Sequence, residues 1–157
     1  MKLLKHLASF CLLASAASLC AQAPAACQWL TSGTAARVLG GEAQLVAKAD
    51  SNWLGSCTFT RQQGTVVRSL TITVGPTDAH PCPANSTPVK ALGNQATQCE
   101  SAHAATIAGR IRDAYFVITV ANVPGVTQTL YADAKPPDPY RASLLLIVAE
   151  QVVGNLY

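Results

Sequence analysis

The chain has 157 residues, 50% of them hydrophobic and 12% charged, with six cysteines and a formal net charge of +3. That length suits one domain built around one hydrophobic core. Its basic residues are scattered, without the stripe or cluster that nucleic-acid binding or a polybasic membrane contact requires, so neither is expected.

The chain opens on a leader. Lys2, Lys5 and His6 form a basic start, 7–19 is apolar apart from three serines, and small residues lead to Ala23-Pro24-Ala25. This is the pattern of a secretory signal peptide with an A-x-A-like cleavage site. Cleavage is expected after Ala25, because a cut after Ala23 would leave Pro24 first. The expected organisation is a signal peptide at 1–25 and a single disulfide-stapled domain at 26–157, exported to the periplasm or secreted. Lys2 and Lys5 leave with the leader, so nine Lys and Arg then face eight Asp and Glu. No stretch of the mature chain approaches the roughly 20 apolar residues of a membrane helix, so no transmembrane segment is expected there. Neither leader cysteine sits in a lipobox: Cys20 follows the bulky Leu19, and Cys11 follows Phe10. Cys27, Cys57, Cys82 and Cys99 remain, an even count that implies two disulfides with three possible pairings.

Thr31 or Ser32 caps a short helix that Gly40-Gly41 stops, with Ala35, Val38 and Leu39 on its buried face. Strands are expected at 43–48, at 56–62 and at 66–74. Cys57 and Phe59 share a face of the second, and Leu70, Ile72 and Val74 share one of the third. A Gly-containing turn between the last two makes them an antiparallel hairpin. The prolines at 76, 81, 83 and 88 mark 76–98 as mostly loop. A second hairpin is expected from 106–111 and 115–121, turning at Arg112-Asp113-Ala114. The proline-rich 123–139 is a long connection. Asp138 and Pro139 open a C-terminal helix whose stripe is Ala142, Leu145, Ala149, Val152 and Leu156.

The order of these features resembles a family of small bacterial cell-envelope domains of unknown function. The likeness rests on Cys27-Gln28-Trp29-Leu30-Thr31 before the helix, Val38-Leu39-Gly40 at its end, Ser56-Cys57-Thr58-Phe59 in a strand, Lys90-Ala91-Leu92-Gly93-Asn94-Gln95-Ala96, and Gly109-Arg110-Ile111-Arg112-Asp113. Such domains often begin with a Cys, Leu-Leu-Thr, helix, Leu-Gly pattern and include many lipoproteins. The resemblance implies a curved antiparallel sheet with helices packed on it, similar to PsbP-like domains. It also implies a Cys27–Cys57 bridge, which leaves Cys82 with Cys99. It carries no reaction and no catalytic residues. Together with the pattern of elements, it sets the expected fold class as α+β. That fold is a curved antiparallel sheet of about four to five strands, a typical sheet size, with a short N-terminal and a long C-terminal helix packed on one face.

Chemistry has few footholds. There is no P-loop, dinucleotide fingerprint or G-x-S-x-G elbow, and no carboxylate pair has a spacing that suggests a shared cleft. The expected function is a non-catalytic, cofactor-free module of the cell envelope that binds a protein partner or small ligand. Arg110 and Arg112 flank a hairpin tip and suit an anionic group, since guanidinium pairs bidentately with carboxylate or phosphate. Trp53 in a turn and Tyr131 in the proline-rich connection are candidate contact residues. One alternative is a metal site made of His80, Cys82, Cys99 and His103, whose imidazoles and thiolates suit zinc or copper, though the spacing is not a standard signature. A second alternative is an envelope hydrolase that uses His80 or His103 as its base.

Overall fold

The computed structural model describes residues 26–49, 54–79, 81–83, 86–124 and 139–157. The expected signal peptide, 1–25, lies outside that set. No helix among the described residues is long and apolar enough to cross a membrane.

The first helix, α1 (Ser32–Leu39), forms where local signals agree. Thr31 sits in extended backbone and its hydroxyl accepts the Thr34 amide at 3.2 Å, satisfying one orphan donor of the first turn. Gly40 takes a left-handed φ of 82° and the Gly41 amide donates to the Ala36 carbonyl at 2.7 Å, which ends the helix. Ala35, Val38 and Leu39 are its buried residues.

Seven strands follow: β1 (Gln44–Ala49), β2 (Gly55–Gln63), β3 (Val66–Gly75), β4 (Thr87–Pro88), β5 (Gln95–Glu100), β6 (Ala104–Ile111) and β7 (Ala114–Pro124). They make one antiparallel sheet in the order β1-β2-β3-β7-β6-β5-β4. Two meanders, β1 to β3 and β4 to β7, join along the central β3–β7 pair. The closing helix is α2 (Pro139–Leu156).

Register sorts the side chains into two faces. One row runs Ala47, Cys57, Ile72, Ile118, Ile107; the next runs Leu45, Phe59, Leu70, Val120, Ala105. These rows meet α1 over β2 and β3, and α2 over β6 and β7, and the two helices touch each other. Leu145, Val148, Ala149 and Val152 supply the fully buried stripe of α2. The opposite face carries a hydroxyl row, Thr58, Thr71, Thr119 and Thr106, with Oγ–Oγ separations of 3.4 Å for the first pair and 3.1 Å for the last. No described helix covers it. This alternation is what an antiparallel sheet with one solvated face requires.

The N-terminal segment is fastened to the helix face twice. Cys27 bridges to Cys57, with Cα atoms 5.7 Å apart, and the Asn155 side chain donates to the Trp29 carbonyl at 2.9 Å. Trp29 is fully buried.

Two arginines close the end of α1. Arg61 and Arg68 face each other across β2 and β3, and both reach the Leu39 carbonyl, at 2.9 and 3.4 Å. A cation at a helix C-terminus meets the negative end of the macrodipole. Glycine is favoured at position 41 by its φ of 154°, and a Cβ there would also displace the Arg61 guanidinium, whose Cζ would lie 2.8 Å away. Arg61→Ala is expected to cost about 1–2 kcal/mol, the scale of a charged hydrogen bond partly replaced by Arg68. Urea unfolding should show a lower midpoint at unchanged slope.

The expected α+β class with a sheet of four to five strands is corrected by this structure: the sheet has seven strands and the chain is mostly β. The additional strands are β5 and the two-residue β4. In β5 only Ala96 is buried, so Gln95–Glu100 shows no apolar alternation. Its strand state comes from pairing with β6, not from its own pattern.

Candidate ligand-binding site

The segment after Gly75 crosses the open face of the sheet. It leaves the end of β3 and is fastened at Cys82, which bridges to Cys99 of β5 with Cα atoms 5.6 Å apart. Cys99 stands opposite Thr106 in the register, on the hydroxyl face. The Cys82 sulfur lies 3.9 Å from the Thr106 carbonyl oxygen. The chain therefore forms a strap from β3 toward β5, above β7 and β6.

Under the strap is a pocket of about 160 Å³. Asp78, Pro81 and Cys82 form its roof. Its floor includes Gln95 of β5, Arg110 of β6 and Tyr115 of β7, which the register aligns in one row across three strands. Thr97 and Ala108 stand opposite each other in the adjoining row. The volume suits one functional group or a few waters, and is smaller than a typical cofactor cleft.

Arg110 is exposed, and two contacts orient its side chain. Its guanidinium carbon lies 5.5 Å from the centre of the Tyr115 ring, a cation–π distance. Its Nε donates to the Arg112 carbonyl at 2.9 Å. The two Nη groups have no hydrogen-bond acceptor among the described residues. The planar fork is thus oriented by Nε and by the ring, with its terminal nitrogens left to a ligand. Gln95 adds an amide and Thr97 a hydroxyl.

No protein-family model and no curated protein matches this chain.

The residues singled out in the sequence separate. Arg110 lines the pocket; Arg112 does not. Arg112 occupies the two-residue hairpin loop at φ 51°, and its guanidinium carbon lies 5.5 Å from the Tyr157 ring centre at the chain's end. The two arginines thus serve different neighbours. Both disulfides form as the resemblance implied, and two disulfides fit a chain matured in an oxidising environment. Cys82 and Cys99 consume each other's sulfurs, so they hold no thiolates for a metal. Among the described residues, no group of three or more His, Cys, Asp and Glu comes together as a metal site. His103 is exposed in the β5–β6 turn, where its carbonyl accepts the Asn122 amide at 2.8 Å. His80, Trp53 and Tyr131 lie outside the described residues.

Asp78, Gln95, Thr97 and Tyr115 were not anticipated as lining residues. Tyr115 carries the one usable signal: in a tight hairpin centred on Arg112-Asp113 it falls opposite Arg110. Gln95 and Thr97 carry none, because their strand was not legible.

Proposed function

We propose that this chain is an exported, non-catalytic binding module of the cell envelope that takes a small carboxylate-bearing ligand under its strap. The observation that carries the reading is the Arg110 fork, aligned by Tyr115 and the Arg112 carbonyl, its Nη groups without an acceptor among the described residues, in a concave site roofed by a disulfide-fixed strap. A preset guanidinium loses little freedom when it pairs bidentately with carboxylate. The leader, the two disulfides and the resemblance to envelope domains support the exported setting.

Succinate is the probe. Titrated into isotope-labelled protein, it is expected to shift the amides of Gln95, Thr97, Arg110 and Tyr115 with millimolar affinity, as befits a site for one functional group. Arg110→Gln should weaken that binding about tenfold or more, the scale of one charge-assisted contact. Shifts scattered over the surface, or unchanged by Arg110→Gln, would sink the reading.

A further inference from the structure

The β1 edge of the sheet is built differently from the β4 edge. β4 is two residues long and ends in a proline, both of which blunt strand addition. β1 has six residues, Gln44-Leu45-Val46-Ala47-Lys48-Ala49, without proline. No described strand pairs with its outer side. Only Lys48 offers the usual charged protection.

Its side chains are half-finished on both faces. Ala43, Leu45 and Ala47 pack against the core but stay partly exposed. On the hydroxyl face Val46 is 60% exposed, the largest value among the aliphatic residues left exposed. It continues the row of Thr58 and Thr71, and ends it with an apolar side chain.

We infer that β1 is a homodimer interface, pairing antiparallel with β1 of a second copy about a two-fold axis at Val46. A two-fold contact must be self-complementary, and this segment is. With Val46 opposite Val46 of the other copy, Leu45 falls opposite Ala47 on the helix face. Lys48 falls opposite Gln44 and diagonal to Glu42. Each exposed Lys48 thereby gains an acidic neighbour, and neither residue has an ion-pair partner within its own copy among the described residues. Shifting the register by one residue would put the two copies' helices on opposite sides of the sheet. The paired sheets would run to fourteen strands, twice the seven of one copy. The contact is small, so the dimer is weak and concentration-dependent.

Cross-linking tests the axis directly. Residues facing each other across antiparallel strands have Cα atoms about 4.5–5.5 Å apart, inside the range a disulfide spans. Val46→Cys should therefore give a covalent dimer under mild oxidation. Lys48→Cys should not, because its two copies stand four residues out of register, about 13 Å apart. Light scattering on the unmodified protein should show a monomer–dimer equilibrium, and Val46→Lys should weaken it at least about tenfold by setting like charges opposite each other. The circular dichroism of Val46→Lys should match the unmodified protein, since the side chain is mostly solvent-facing. A protein monomeric at all concentrations would overturn the inference, and would leave β1 to a strand of some other protein. A dimer insensitive to Val46→Lys, or one cross-linked through Lys48→Cys instead of Val46→Cys, would overturn it as well.

Discussion

Phe116→Ala should destabilise the protein by about 3–5 kcal/mol, the range for a fully buried aromatic truncated in a core. Phe116 is 0% exposed and lies on β7, opposite Val74 of β3 and Gly109 of β6. The ring uses the space that a side chain at position 109 would fill. A Cβ there would sit 2.7 Å from Phe116 Cζ and 2.5 Å from the Gln95 carbonyl oxygen. Gly109→Ala should therefore cost about 1–3 kcal/mol by overpacking, at the upper end because one obstacle is backbone. The double variant makes the test sharp. Removing the ring relieves only one of the two collisions, so Gly109→Ala should cost less in the Phe116→Ala background, yet still destabilise. A double-mutant cycle by urea unfolding reads that coupling. Strict additivity would mean that the ring and the glycine do not share one space.

Where local signals act alone, the sequence is readable. Thr31 and Gly40 bound α1 because a capping hydroxyl and a left-handed glycine act within a single turn. The alternation in β2, β3 and β7 is visible because every second side chain meets the helices. β5 is not legible in the sequence for the opposite reason. It lies toward the sheet's margin, next to the two-residue β4, and buries only Ala96. Its pairing is dictated by β6, which lies on its other side and is itself held by β7. Prolines nearby signal loop, and the strap residues 76–79 and 81–83 are loop. A run of loop signals does not exclude a short strand that is templated by a neighbour.

The candidate site was half legible. Arg110 stands out in the sequence as a cation at a hairpin tip. That it lines the pocket under the strap while Arg112 turns to Tyr157 depends on the hairpin's tight loop, where position 112 adopts a left-handed φ. That conformation is uncommon for a residue other than glycine, so composition gives no warning of it. The row Gln95–Arg110–Tyr115 depends on three-strand register, which the sequence does not print. The strap depends on which cysteines pair. An even cysteine count left three pairings, and only one of them draws 76–82 across the open face.

The two disulfides should separate stability from binding. In the chain-entropy description, Cys27–Cys57, separated by 30 residues, contributes about 3.5 kcal/mol, and Cys82–Cys99, separated by 17, about 3 kcal/mol. Replacing Cys27 and Cys57 together by alanine should exceed its figure. Cys57 is buried at 1% exposure, and the bridge also anchors the segment that buries Trp29. Both losses fall on the helix face, so at temperatures where the protein remains folded, succinate should still shift Gln95, Thr97, Arg110 and Tyr115. Replacing Cys82 and Cys99 by alanine acts on the other face. Both sulfurs are only half-buried, so little core is lost and the cost should stay near the entropic figure. The strap, however, loses its fixed end, and the pocket loses the roof that Asp78, Pro81 and Cys82 provide. Succinate binding should then weaken more than in the Cys27/Cys57 variant, although the protein is the more stable of the two. Denaturation and titration of both variants give the comparison. If binding instead tracks stability across the pair, the strap is a structural staple alone, and the proposed site beneath it is overturned.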